Sequence, residues 1–347
     1  MKKRNLPIVL MVLALIMTSC GGPTGQIVQE PADDIDDNPK TLKILVLNFD
    51  PILEARGDIR LHEIEAWWND PRDISEGFIQ DFDNFTDGYI QKEIVEWVDL
   101  DEWPRRNDGY RFTDDFFLSH FDDKDYPAVS FYNENEVLDY DYYIDQYDIV
   151  NRVNSGEIDQ VWMFGYHYMG SAFYESRMVG KDAYWCNSPG IQMNCAPFIV
   201  YYFNYERGVD CMLENTGHAM ESILTHIFGG WDHTKPLDQM NNWERFTLYE
   251  KVAPGNAACG NVHYAPNSTT DYDWGNESMV WSTYVDWENY PTLSGEKKRS
   301  NAADWGNGDM RLHHIWWFNL FPKIPGKDAE GFFHNWWKYY VAPTIND

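Results

Sequence analysis

The sequence predicts an α/β fold, a mostly parallel sheet with crossover helices, covered by a loop-rich C-terminal elaboration dense in Trp and Asp. Three observations predict it. Short apolar or alternating runs recur at Leu42–Leu47, Tyr89–Val98, Ile158–Tyr166 and Phe198–Asn204, the length and composition of strands. Between and after them lie helical patterns at Pro71–Phe85, Val137–Val153 and Val209–Phe228, and strand–helix alternation belongs to crossover-connected sheets. From about Gly229 the periodicity stops and Asn, Asp, Gly and Trp dominate.

In chain order, Lys2-Lys3-Arg4 is basic and Leu6–Met17 apolar. The run is shorter than the roughly 18 residues a membrane span needs and reads as an export signal. The segment Leu15-Ile16-Met17-Thr18-Ser19-Cys20 resembles the lipobox of bacterial lipoproteins, with Met17 in place of the more usual leucine. That resemblance implies a signal peptide over 1–19, a lipidated Cys20, and an exported protein anchored at the cell envelope, on the outer membrane or cell surface. Residues 20–40, rich in Gly, Pro, Asp and Asn, have the composition of a disordered tether. Residues 41–347 then form a single α/β domain, with the cap from about 230.

The first strand is broken by Asp50-Pro51, because the residue before proline leaves helical space and the proline cannot donate. Asp70 before Pro71 makes a helix start, and Asn154-Ser155-Gly156 makes a stop. Sites in such sheets form beyond the carboxyl ends of strands. Here those ends carry Asp50, Gly165-Tyr166-His167 and Asn204-Tyr205-Glu206-Arg207.

A formal charge of −29 repels phosphate backbones and anionic bilayers, which excludes nucleic acid as a partner and leaves the lipid anchor as the contact with a membrane. Without Cys20 four cysteines remain, which can pair in three ways. Cys186 with Cys195 closes a short loop, and Cys211 with Cys259 would tie a helix start to the stretch before His263. Disulfides suit an oxidising compartment, and the separations do not match a zinc pattern.

The chemistry concentrates in ENTGHAMESILTH, Glu214–His226. At about 100° per residue, Glu214, His218, Glu221 and Thr225 share one stripe, while Met212, Ala219, Ile223 and Ile227 face elsewhere. Charge on so apolar a helix must be solvated, paired or coordinating. His218-Ala219-Met220-Glu221 resembles the HAxE part of the zinc motif of metallocarboxypeptidases. The likeness covers four residues, and the chain before it is too long and after it too short for that fold, so the family is not carried over. The bland alternative is a buried histidine bonded within its own helix.

Three further clusters carry chemistry. His263, in a turn-rich stretch close to Asp271 and Asp273, could complete a metal shell or act as a base; its alternative is a bonded loop framework. Asp309 stands i, i+4 to His313 and could orient it, or simply cap a helix beside a structural histidine. Glu175, after the third strand, could be acid, base or nucleophile, or pair with Arg177. No GxSxG elbow, phosphate loop, dinucleotide fingerprint or HExxH stands in the chain. The pairs Trp67-Trp68, Trp316-Trp317 and Trp336-Trp337 offer sugar platforms or core. The exported part as a whole resembles a bacterial extracytoplasmic family to which no activity attaches.

These observations lead to an expectation of a lipid-anchored extracytoplasmic hydrolase of glycans or peptides. His218 and Glu221, with His263 or His313, would hold zinc or another divalent cation, with Glu175 or Glu214 as proton carrier. Asp271, Asp273 and Asp309 would line the substrate. The alternatives are a metal-free glycoside hydrolase using paired carboxylates, or a non-catalytic surface binder of carbohydrate or protein.

Overall fold

The computed structural model describes residues 35–122, 138–166 and 175–343. The lipobox with Cys20, most of the tether, Val137 and His167 lie outside the described residues.

In chain order, β1 (Lys40–Phe49) leads into a small hairpin, β2 (Ile52–Leu53) and β3 (Ile59–Arg60). Helix α1 (Pro71–Phe85) and β4 (Ile90–Leu100) follow, then α2 (Asp114–Asp122), α3 (Tyr140–Gln146) and α4 (Ile149–Asn154). Next come β5 (Gln160–Gly165), β6 (Ser176–Gly180), β7 (Ile191–Gln192), β8 (Phe198–Asn204) and the long helix α5 (Val209–Ile227). Beyond it stand α6 (Asn242–Phe246), the ribbon β9 (Val280–Ser282) with β10 (Lys298–Ser300), α7 (Met310–Asn319) and α8 (Trp337–Val341).

Six strands form the central sheet in the order β4-β1-β5-β8-β6-β7. The β4–β1–β5–β8 run is parallel throughout; β6 pairs antiparallel with β8, and β7 parallel with β6. The fold is thus mixed α/β with a mostly parallel sheet. Among the described residues, the connection from the third to the fourth expected strand carries β6 and β7, two strands that the sequence pattern does not predict. Both strands are short, and β7 has two residues, too few to leave a period.

Alternation along the strands divides the core. Ile44, Val46, Trp162, Phe164, Tyr201 and Phe203 face α1, α5, α7 and α8. Leu45, Leu47, Phe49, Val161, Met163 and Tyr202 face α3 and α4. Each such side chain, fully buried, contributes roughly 1.5–3 kcal/mol. Helix α1 starts as its sequence requires, with the Asp70 carboxylate accepting from the Arg72 N–H and Pro71 at the first helical position. The pattern read as one helix over Val137–Val153 is instead two, parted at Asp148, whose φ of 51° is left-handed. An aspartate tolerates that conformation better than most residues.

The stretch read as tether is ordered at its end. Ile35 is buried, its carbonyl accepts from Lys338 Nζ at 2.9 Å, and Asp37 pairs with the same ammonium at 2.6 Å. The disulfide expectation is corrected: among the described residues, Cys186, Cys195, Cys211 and Cys259 are free thiols. The sheet separates the first two, since Cys186 belongs to the core on one face and Cys195 to the core on the other. Cys211 lies against Arg207, with Nη1 3.2 Å from its sulfur, while Cys259 is fully buried in the main core. The adjacent tryptophans Trp336 and Trp337 are both fully buried and present no face to a ligand. Among the described residues, no helix is long and apolar enough to cross a membrane.

Candidate metal centre

Helix α5 is the rail on which the site is built. Its apolar positions Met212, Leu213, Ala219, Met220, Ile223 and Leu224 are buried in the main core. That burial fixes the roll of the helix and turns Glu214, His218 and Glu221 toward the loop at residues 260–272. Two glycines let that loop come close. A Cβ on Gly217 would overlap the Val262 side chain. Gly260 has φ +71°, and a Cβ there would overlap the Tyr264 carbonyl; both positions need the missing side chain.

The close approach brings Glu214, His218 and His263 together, with one ligand-capable atom from each lying within 4.8 Å of the others. The two imidazole rings meet edge to face, 4.8 Å between centroids. His218 Nδ1 lies 3.0 Å from Glu221 Oε2, and the other oxygen of Glu221 accepts the Val262 N–H at 3.1 Å. His263 Nδ1 lies 3.1 Å from Asp271 Oδ1. His263 Nε2 is 3.1 Å from Glu214 Oε1. Each ring therefore has Nδ1 on a carboxylate and Nε2 toward the cluster. A carboxylate on one ring nitrogen fixes the tautomer and makes the other nitrogen a better lone-pair donor.

Around this core stand Tyr272, Arg207 and Glu175. The Tyr272 hydroxyl donates to Glu214 Oε1 at 2.8 Å and lies 3.1 Å from His263 Nε2. Its backbone is left-handed, φ 56°, a conformation that costs a bulky residue on the order of 1–3 kcal/mol and gathers at functional sites. Arg207 Nη1 is 3.9 Å from Glu214 Oε2. Glu175 immediately precedes β6; its Oε2 accepts from Asn187 Nδ2 at 2.8 Å and lies 4.0 Å from His218 Nε2.

Protonation follows from these contacts. Burial opposes a charge on Glu214, but hydrogen bonds from His263 and Tyr272, with the charge of His218, hold its carboxyl down to about 2. Burial also opposes a charge on His218, yet the Glu221 hydrogen bond and charge, then Glu175 and Glu214, raise it to about 9. Burial pushes the Glu175 carboxyl above its ordinary value despite the neighbouring His218. A carboxyl so raised suits proton transfer nearer neutral pH.

The sequence-predicted residues divide into those that meet and those that do not. His218, His263 and Glu214 meet, with Glu221 and Asp271 fastening the two rings. Glu175 stands beside His218. His313 is not part of the group, a correction: it is fully buried, stacked on Trp274 with 5.2 Å between ring centroids, and neither ring nitrogen finds a partner among the described residues. Burial drives its pKa well below the ordinary value. Asp309 does not touch the His313 ring in the expected way; it caps α7 by accepting the Leu312 N–H. Asp273 is taken up by Thr269 and Asn276 in a local turn. Sequence reasoning gives no role to Tyr272, because nothing periodic marks a tyrosine in a turn. Arg207 is signalled only by its place at the carboxyl end of β8.

Compared with known proteins, the chain matches no family model, no curated protein sequence and no solved structure.

Proposed function

We propose that this chain is a divalent-metal-dependent hydrolase, with zinc the best-fitting cation, and that Glu214, His218 and His263 are its ligands. The observation that carries the proposal is the pair of imidazoles, each held at Nδ1 by a carboxylate and converging with Glu214. Two histidines and a carboxylate are a ligand set of hydrolytic zinc sites, which keep a further position for water. A bound cation would polarise the scissile group and lower the pKa of that water. Glu175, at 4.0 Å from His218 Nε2, would take a proton from such a water and pass it to the leaving group. The Tyr272 hydroxyl holds Glu214 in place, and Arg207 would add positive charge near the oxyanion that develops.

The region from about residue 230 serves as a cap that delivers His263, Asp271 and Tyr272 onto α5. Export and lipid anchoring at Cys20 complete the reading, resting on the basic start, the apolar run and the lipobox resemblance. Substrates in that compartment are glycans or peptides; nucleic acid is not among them.

The test is elemental analysis of the purified full chain after incubation with zinc and removal of excess. Wild type should retain about one equivalent, and His218→Ala and His263→Ala should retain none while keeping the wild-type circular dichroism. Wild-type protein that retains no divalent metal sinks the proposal.

A further inference from the structure

A cleft of about 420 Å³ opens at His218 and runs along the exposed side of α5 toward its carboxyl end. His218, Ser222 and Thr225 line it from one helix face, spaced over about 10 Å at 1.5 Å per residue. Trp185 and Trp231 line it from outside the helix. Trp185 is 62% exposed, although an indole of that size ordinarily buries most of its surface. Tyr184 and His226 also line the cleft, their rings stacked 3.8 Å apart and nearly parallel.

Two features of this cleft define its occupant. Apart from Glu221 and the two histidines, its lining is neutral, and it alternates aromatic faces with the hydroxyl and amide groups of Ser222, Thr225 and Asn187. A sugar ring needs that combination: C–H faces against indole, hydroxyls against side-chain oxygens and amides. None of the lining residues belongs to a strand, so an extended peptide finds no sheet edge to pair with. The net charge of −29 disfavours an anionic saccharide.

The metal ligand His218 lines the cleft, and this limits the bond that is cut. A metal-activated water attacks an electrophilic carbonyl carbon, whereas a glycosidic bond is cut through an oxocarbenium-like state by paired carboxylates. We propose that the cleft holds the ring of an acylated neutral saccharide and that the bond hydrolysed is the acyl C–N or C–O bond on that ring. This rests on the metal reading above. The metal-activated water, its proton passed to Glu175, would add to the acyl carbonyl carbon, whose oxygen takes the negative charge. The C–N or C–O bond would then break, the sugar nitrogen or oxygen would take the proton held by Glu175, and the acyl group would leave as the carboxylic acid, which loses its proton to solvent.

The experiment measures acetate release by the zinc-loaded full chain from chitotetraose and from O-acetylated xylotetraose, with tetra-alanine as the peptide control. Acetate should be released from at least one of the two saccharides, with no cleavage of tetra-alanine. Trp185→Ala should raise KM about tenfold, equivalent to about 1.4 kcal/mol, leave kcat within about twofold, and keep the zinc. His218→Ala should lose zinc and turnover yet still bind the saccharide, read by tryptophan fluorescence. Zinc bound without acetate release from either saccharide, or a Trp185→Ala variant with wild-type KM, overturns this inference and leaves the metal reading standing. Failure to bind zinc overturns both.

Discussion

Two histidine pairs lie on opposite sides of Val262. On one side its N–H donates to Glu221, the residue that fastens His218 in the pocket shared with His263. On the other its carbonyl lies 3.3 Å from His314 Nε2, next to His313. The first pair is partly exposed and each ring has a carboxylate on Nδ1. The second pair is fully buried against Trp274, and burial lowers the pKa of both, His314 to about 4. The residue type is the same in both places. What differs is the acid beside the ring, and that decides whether a histidine is shaped as a ligand or as core.

The largest effect expected from breaking this contrast is at Gly217. Gly217→Ala inserts a methyl where Val262 sits, pushing the His263 loop off α5, and metal retention should fall to background. A size-matched control, Ala219→Gly, sits on the core face and should keep the metal while losing stability by about 1 kcal/mol. Equal metal loss in both would mean the loop contact is not what assembles the cluster.

Removing the orienting acids should do less. Asp271→Asn and Glu221→Gln each keep the size of the side chain but lose the charge, and metal affinity measured by chelator competition should fall about 10–100-fold. Unchanged affinity in both would show that Nδ1 contacts do not distinguish the two pairs.

The pairs should also respond to pH with opposite signs. His218, raised to about 9 in the metal-free fold, gives stability that is fully present below its unfolded pKa of about 6.5 and is lost as pH rises through 9. The destabilisation caused by His218→Ala in chelated protein should therefore shrink between pH 6.5 and 9. His313 is depressed, so the unfolded chain takes up its proton first and stability falls as pH drops below about 6.5. His313→Phe should remove up to about 1.4 kcal/mol per pH unit from that acid-side slope. Denaturant melts across pH measure both, and slopes of the same sign would refute the contrast.

The smallest effect is at neutral pH. His313→Phe keeps a ring against Trp274 and deletes two buried nitrogens without partners, so it should be neutral or stabilising by about 1 kcal/mol. Its metal content should match wild type.

The contrast also marks how far the sequence could be read. The strands β1, β5 and β8 and the helices α1 and α5 were legible because burial on both faces leaves a continuous apolar run, and burial on one side leaves a 3.6-residue period. The Glu214–His218–Glu221 stripe was legible for the same reason, since helical spacing converts directly into a shared face. The strands β6 and β7 left too little pattern to see. The split between α3 and α4 turned on one left-handed residue, Asp148.

The chain by itself determined the sheet-forming runs, the helix that carries the acids and imidazole, and the strongly acidic net charge. It also ranked His263 and His313 as equals, because each is a histidine near an aspartate in the sequence. Only the tertiary structure chose between them. Residues far apart in the chain meet through close packing, and here the space freed at Gly217 and Gly260 decided which ring reached α5 and which was sealed behind Trp274. Likewise the four thiols looked pairable by count, but the sheet stands between Cys186 and Cys195, a separation that sequence spacing does not encode.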